Sequence, residues 1–517
     1  MYIVLLLTLL AFAGLAVASR TSRISDFYVA GGNVPAVFNG MAIAASLVPL
    51  LILASAVGSS SAGRQDGLTL MLGGAAGLIF AGLVLAPGLR KFGGVTIADF
   101  LGERFGGTPV RLMGVLALIL CSFPLLAMAL RILGSIGTGV FALDLGTGVA
   151  VAMVMILLAV FSGGLRSLTR TQVAQYLVLF AATLAAAAIL WRQDGGFPES
   201  AGLGAILDGG PVSSLRTLGA GEKSGGYALM FCLAAGTASL PHLLMRSFAA
   251  RSAADARASF LWAFLFAASF GLAAAAVLGV VSGASGEAWP TVAGFLAIGA
   301  VAACLALAGG LLAAIANALS YDVHFKTLDH AATSQQRLLV ARGLALLVAI
   351  LAAYTAVHYA GEVLTVATWS FSLAASGLLP VLVLGFWWKR ANAEGALAGM
   401  VAGLGACVYY LLGPHYFPIP FYEVSTVLSS ATPDQAAHYL ALSKAYHLAE
   451  GAAKPQAYAD WIAHARALAN WWGVDRAAAG LFGVPVGFVV TIAVSLLKAA
   501  PSADVQNFVA ELRRAHQ

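Results

Sequence analysis

Charged residues are scarce in this sequence. Only 10% of its 517 residues are charged, whereas 60% are apolar and the mean hydropathy is +0.90. In soluble globular proteins about a quarter of the residues are charged. This composition excludes a soluble enzyme, and it places most of the chain in lipid.

Motifs for enzymatic chemistry are also missing. The sequence has no Walker loop, no glycine-rich dinucleotide turn and no histidine–carboxylate cluster at metal spacing. The four cysteines all fall in apolar runs, which favours a packing role: Cys121, Cys232, Cys304 and Cys407. We therefore predict no enzymatic activity, no bound cofactor and no nucleic-acid partner.

What the sequence has is a series of apolar runs of about twenty residues, enough for a helix to cross about 30 Å of hydrocarbon. About thirteen transmembrane helices are predicted, at 2–18, 36–57, 68–89, 112–138, 145–162, 172–191, 226–245, 258–282, 293–320, 338–358, 364–388, 393–413 and 477–497. The first run is interpreted as a retained span, because Arg20 and Arg23 follow it and no positive charge precedes it. The fold class is thus an all-α polytopic membrane protein with one transmembrane domain over 1–497.

The positions of the 28 Lys and Arg residues predict the orientation in a bacterial-type inner membrane. Most of them fall in alternate loops, and cytoplasmic loops carry such an excess. This places the N-terminus outside and the tail 498–517 in the cytoplasm. The net charge of +6 follows from the same bias and does not indicate nucleic-acid binding.

Two predicted outer segments are longer than the rest. Residues 192–225 are rich in Gly, Ser and Pro and are interpreted as an irregular loop. Residues 414–476 show helical spacing and predict two amphipathic helices on the outer surface. We interpret that insert as a structural cap in preference to a partner-binding site. A small membrane subunit is kept as a second possible partner of the protein.

The second span contains a proline in mid-membrane. Pro49 has no N–H, so the carbonyl of Ala45 loses its helical partner. Broken helices in transporters offer such oxygens to ions or substrates, which makes Pro49 a candidate helix break and Ser46 a candidate substrate ligand. The alternative, of equal weight, is that Pro49 only bends the helix and that neighbouring helices pack against the bend.

Six stretches occur in an order that carries a resemblance. They are SDFYVAGGN at 25–33, QDGL at 65–68, FSGGLRSLTRTQ at 161–172, GTASLPHLLMR at 236–246, SYD at 320–322 and SFSLAAS at 370–376. Together they resemble the sodium:solute symporter family from residue 25 to about 410. The stretch at 236–246 is similar to the acetate-permease branch in particular.

The resemblance implies the leucine-transporter fold, with two inverted five-helix repeats at about 36–191 and 226–388 that rock around a central site. It implies a cation site formed by backbone carbonyls, here those of Ala45, Val48 and Ala303. The hydroxyl pair that the family adds to this site falls at Ala306 and Leu307, and neither residue has a hydroxyl. Na⁺ is the possible coupling ion.

Proton coupling is the alternative to Na⁺. All 22 Asp and Glu residues fall in loops or at span ends, so no buried carboxylate relay is visible. His242 titrates near neutrality in water, but its place beside Arg246 favours a structural hydrogen bond.

Arg131 is the one charged residue inside a predicted span. Burial of arginine in hydrocarbon costs about 3 kcal/mol on insertion scales, so a compensating partner is expected. A substrate carboxylate would pair with it through two parallel hydrogen bonds, with Ser370 as a further candidate ligand. The alternative is that Arg131 reaches the outer lipid headgroups.

The predicted function is secondary active uptake of a small organic anion, most simply a short monocarboxylate such as acetate, driven by a Na⁺ or H⁺ gradient. The alternative is a sensor or regulatory membrane subunit that keeps the fold without ion coupling.

Overall fold

The structure is a computed structural model that describes residues 2–60, 67–193, 224–281, 289–359 and 363–514. Most of the predicted loop 192–225, and residues 65–66 of the second motif, lie outside the described residues. Within the described ranges the chain is almost entirely helical and has no strand, apart from one isolated bridge between Val34 and Ala250.

The helices, numbered in chain order, are α1 (Tyr2–Ala18), α2 (Ile24–Val29), α3 (Ala36–Ser60), α4 (Gly67–Phe80), α5 (Ala86–Phe92), α6 (Ile97–Phe105), α7 (Thr108–Phe141), α8 (Leu145–Gln193), α9 (Ser224–Ser239), α10 (Pro241–Leu244), α11 (Arg246–Ala249), α12 (Ala253–Val281), α13 (Trp289–Asn317), α14 (Ser334–His358), α15 (Val363–Trp387), α16 (Ala393–Tyr416), α17 (Pro418–Val424), α18 (Pro433–Leu448), α19 (Lys454–Leu468), α20 (Gly480–Leu497) and α21 (Ala503–Arg513). Short 3₁₀ or π-helical turns lie at Ala30–Gly32, Ala81–Leu85, Ala318–Leu328, Thr426–Leu428, Gly451–Ala453 and Arg476–Ala478.

Each predicted span falls on a helix in the described part of the chain. Nine of these helices are long and apolar enough to cross a membrane, or ten when the bent pair α9 and α10–α11 counts as one span. Three predicted spans account for the smaller total: α1 has only 17 residues, only Ala36–Leu50 of α3 enters the count, and α8 covers two predicted spans. The all-α polytopic fold class is confirmed.

The chain folds back on itself within α8. Gly163 and Gly164 leave helical dihedral angles, and Gly164 has φ 53° and ψ −132°. Met155 and Gln175 line one small cavity, although twenty residues of straight helix would separate them by about 30 Å. The two arms of α8 therefore lie side by side and correspond to the two predicted spans 145–162 and 172–191.

The helix break lies elsewhere than predicted. The α3 helix continues from Ala36 to Ser60 with Pro49 inside it, so the prediction of a break at Pro49 is wrong. One proline removes a single backbone hydrogen bond, and neighbouring helices accommodate the resulting kink. The chain breaks instead at Leu240, where the backbone is extended and the flanking helices differ in direction by 43°.

The buried core surrounds α13. This helix packs against both arms of α8 and against α7 and α3, while α15 packs against α7 and α9. Its residues from Ala302 to Asn317 are all buried, and most of them are Ala, Gly or Leu. Small side chains let neighbouring helices approach α13 closely, which brings polar groups from four helices together at its middle.

The insert and the C-terminal segment form helices of their own. The helices α17 to α19 share a small apolar cluster that includes Tyr422, Tyr439 and Trp461. The tail contains α21, where Phe508 contacts Phe92 edge-on and Arg513 Nε donates to the carbonyl of Phe386 at 2.7 Å. The side of the membrane on which each segment lies stays a prediction.

Candidate functional site

The two helices that carry the residues predicted to form a cation site, α3 and α13, pack against each other. Ala45 and Ala306 lie in one buried cluster with Ala44 and Tyr176. Val48 and Ala303 are also buried, on the same two helices. Because Pro49 has no N–H, the carbonyl of Ala45 still lacks its usual helical donor.

Gln172 occupies the space between these two helices. Its side chain is fully buried, and Nε2 donates to the carbonyl of Ala306 at 2.7 Å and to Ser46 Oγ at 3.1 Å. The Ser46 hydroxyl in turn donates to the carbonyl of Ala42 at 3.0 Å. Sequence reasoning missed Gln172, although it is the last residue of the motif 161–172 and a polar residue at the start of an apolar span.

A buried arginine holds the other end of this amide. Arg246 is 2% exposed, and its guanidinium donates to Gln172 Oε1 and to Thr169 Oγ1, the latter at 2.6 Å. No ion pair between Arg246 and a carboxylate occurs among the described residues. Asn39 Nδ2 donates to the main-chain carbonyl of Arg246 at 3.0 Å and so ties it to α3.

His242 is buried nearby without a hydrogen bond. Both of its ring nitrogens lack a partner in the part of the chain that the structure describes, so the structural hydrogen bond predicted for it is not found. Its ring lies close to Gly310, whose missing side chain leaves room for it and for Gln172. Arg246 is the permanently charged residue of this cluster.

A second site lies between α7, α14 and α15. Arg131 and Ser370 line a cavity of about 280 Å³ there, and Arg131 Nη1 donates to the carbonyl of Ala356 at 2.8 Å. The other lining residues are mostly apolar: Phe123, Pro124, Ala127, Met128, Thr355, Ala356, Tyr359, Val366, Trp369 and Leu373. Ser46 is not among them, so the residues predicted to bind substrate are divided between two places.

Trp369 is one of the residues that line this cavity. Its Nε1 atom is buried and has no hydrogen-bond partner among the described residues. A buried N–H without an acceptor costs about 1–3 kcal/mol.

Charged residues cluster at the predicted inner end, around the motif 320–322. Arg111 lies 2.9 Å from Glu103, 3.6 Å from Asp99 and 3.8 Å from Asp322, which links α6, α7 and the turn after α13. Burial raises the pKa of the Asp99 carboxyl, and the charges of Lys326 and Arg111 oppose that rise. We therefore interpret the motif at 320–322 as structural, because Asp322 takes part in the charge network that connects these elements.

Between α3 and α13, the oxygen atoms that could bind a cation belong to main-chain carbonyls and to the Ser46 hydroxyl, which carry no charge. No group of three or more His, Cys, Asp or Glu side chains that could hold a metal ion occurs in the described ranges. Main-chain carbonyls and the Ser46 hydroxyl suit a hard monovalent cation better than a transition metal. The carbonyl of Ala306, however, already accepts from Gln172.

Comparisons with known proteins agree on one family. The family model described as "Sodium:solute symporter family" matches residues 27–403. An uncharacterized symporter of Cupriavidus necator is 28% identical, with 99% of this chain and 93% of the relative covered. The uncharacterized symporter YwcA of Bacillus subtilis is 27% identical over 75% of this chain and 80% of its own length.

A solved structure supports the fold. A Na⁺-coupled sialic acid symporter, in a substrate-bound outward-open state, superposes with a TM-score of 0.71 at 14% identity and covers 97% of this chain and 98% of its own. At that identity the likeness concerns the leucine-transporter fold alone. With the family match over most of its length, this chain is a membrane transporter and not an enzyme, and it belongs to the sodium:solute symporter family.

Proposed function

We propose that this protein takes up short monocarboxylates by Na⁺-driven symport, and that Arg131 binds the substrate carboxylate. Membership of the family supports solute symport coupled to Na⁺. The identity of the solute rests on the cavity between α7, α14 and α15. In that cavity Arg131 is the single charged residue among the lining residues that the structure describes.

The chemistry of the cavity wall favours a monocarboxylate over a sugar. A polyhydroxylated solute needs a polar partner for each hydroxyl group, whereas a binding pocket for a simple organic acid needs apolar walls and a few well-placed donors. Here Arg131 is the charged residue of the wall, and the other lining residues are mostly apolar.

The size of the cavity sets an upper bound on the substrate. A water molecule takes about 30 Å³ of liquid volume. A cavity of about 280 Å³ therefore has space for acetate and for monocarboxylates with several more carbons. Acetate is the smallest member of the proposed class.

The experiment is uptake of radiolabelled acetate, propionate and butyrate into proteoliposomes. An inward Na⁺ gradient should drive accumulation that a Na⁺ ionophore abolishes. Accumulation with a proton gradient alone would replace Na⁺ by H⁺ as the coupling ion. Binding of these acids without uptake under either gradient would favour the sensor alternative, and no binding would refute the proposed substrate class.

A further inference from the structure

We infer that α21 is a strap that holds the predicted cytoplasmic ends of α5 and α6 against the end of α15, and that its release allows these ends to separate. The α21 helix contacts all three of them. Of the two predicted repeats, 36–191 contains α5 and α6, and 226–388 contains α15. Alternating access moves one such group of helices against the other. A segment bound to both groups therefore controls how easily the cytoplasmic side opens.

The strap lies beside a direct contact between α6 and α15. Phe100 on α6 stacks on Phe386 of α15, with ring centroids 4.3 Å apart and planes inclined by 12°. Arg104, also on α6 and fully buried, donates from Nε to the carbonyl of Gly385 at 2.7 Å and from Nη2 to that of Trp388 at 3.1 Å. Because a helix leaves its last carbonyls without helical donors, this arginine completes the end of α15. Opening the cytoplasmic side here requires these bonds to break.

The α21 helix has contacts on both sides of this junction. On one side, the Phe508 ring meets the Phe92 ring of α5 edge-on, with centroids 6.2 Å apart. On the other side, Arg513 Nε donates to the carbonyl of Phe386 at 2.7 Å. The Arg513 guanidinium carbon also lies 5.7 Å from the ring centroid of Trp387, within the range of a cation–π contact. A movement that separates α5 from α15 has to break one of these sets of contacts.

The strap can detach without unfolding the bundle. The α21 helix has 11 residues, and a helix of that length is marginally stable in water, so it depends on its docking contacts. Its buried residues are Val509 and Leu512. The start of the tail is fixed separately, because Asn392 Nδ2 donates to the carbonyl of Ala499 at 2.8 Å. Segments held by few buried contacts open locally at low cost, so α21 can leave while the start of the tail stays in place.

The readout is the distance between the region of α6 and the end of α15. Spin labels are attached to Thr108→Cys, at the start of α7 just after α6, and to Lys389→Cys, just after α15; both positions are exposed. All four native cysteines are buried, which favours labelling of the introduced thiols. Double electron–electron resonance on the purified protein in nanodiscs then gives the distribution of distances between the two labels.

Two substitutions weaken the strap, one on each side. Phe508→Ala removes the ring that meets α5, and Arg513→Ala removes the donor to α15. Each should add a population at longer distances than the parent protein shows. The matched controls are the next residues on α21, Asn507→Ala and Arg514→Ala. Asn507 is exposed, and Arg514 contacts the bundle through its main-chain carbonyl, which accepts from Lys91. Both controls should keep the parental distribution.

The measurement needs neither solute nor Na⁺, so a failed uptake experiment leaves it unaffected. Longer distances in the two strap variants alone would support the inference. An unchanged distribution in both would overturn it. An equal shift in the controls would also overturn it, because any change in the tail would then loosen the bundle. If Phe508→Ala does not fold, the Arg513→Ala result decides alone.

Discussion

Arg131 offers the most direct test at the scale of a single residue. Arg131 lines the cavity, and its guanidinium donates a hydrogen bond to a carbonyl of α14 inside the protein, so it does not depend on lipid headgroups for a partner. Arg131→Lys keeps the charge and loses the two-pronged geometry, while Arg131→Gln removes the charge.

The expected result for these variants is a graded loss of carboxylate affinity. Charge-assisted hydrogen bonds are worth about 1.5–3 kcal/mol, so we expect a loss of about tenfold for Lys and up to about a hundredfold for Gln. The measurement is competition of unlabelled acid against labelled uptake at matched expression. Arg192→Gln, an exposed change at the end of α8, is the control. Equal affinity in the wild type and Arg131→Gln would exclude a carboxylate-binding role.

A candidate site residue could be recognised from the sequence when the residues next to it in the chain made it unusual. Arg131 and Ser370 stand out as polar groups in apolar spans, and both line the cavity. The role of Gln172 was not predictable, because it depends on Arg246 and Ala306, which lie 74 and 134 residues away along the chain. Only the fold places the two side chains and the carbonyl of Ala306 together.

At the scale of one element, the turn within α8 depends on glycine. Gly164 has a positive φ, and a Cβ there would lie 2.3 Å from the carbonyl oxygen of Phe27. Gly164→Ala should therefore separate α2 from α8 and lower the unfolding temperature by several degrees. The control is Gly343→Ala on α14, where a Cβ meets no atom within 4 Å. Equal thermal stability of the two variants, in detergent, would show that the close approach is not required.

Two prolines show why helix breaks were harder to predict than helices. The residue before a proline is biased towards extended backbone. Leu240, before Pro241, follows this rule, with φ −60° and ψ 118°, and the helix breaks there. Val48, before Pro49, remains within α3. The sequence near each proline does not decide the outcome, because the packing of neighbouring helices determines whether a break or a kink is more stable.

At the scale of the whole molecule, the orientation is open to direct measurement. All four native cysteines are buried, so introduced thiols give a clear signal. Val427 in the insert is 93% exposed, and Leu328, at the predicted inner face, is 72% exposed. With the N-terminus outside, an impermeant thiol reagent on spheroplasts should label Val427→Cys and not Leu328→Cys. The reverse pattern would invert the topology.

The order of the spans was predictable because each apolar run is sufficient to form its own helix in lipid. The packing of α21 against Phe92 and the small core of the insert were not, since both depend on contacts between distant segments. The insert does contain two helices of the predicted length, α18 and α19, together with the shorter α17.

The segment through which the insert returns to the bundle connects the surface with the transport core. Ser372 on α15 donates to the carbonyl of Ala477 at 2.7 Å, and Cys232 on α9 donates to that of Ala478 at 3.3 Å. Both helices belong to the core, and Ser370 and Leu373, on either side of Ser372 in α15, line the cavity. With the insert outside the cell, we expect an antibody fragment against it to act through this segment on α9 and α15, and so to inhibit uptake without crossing the membrane or resembling the solute.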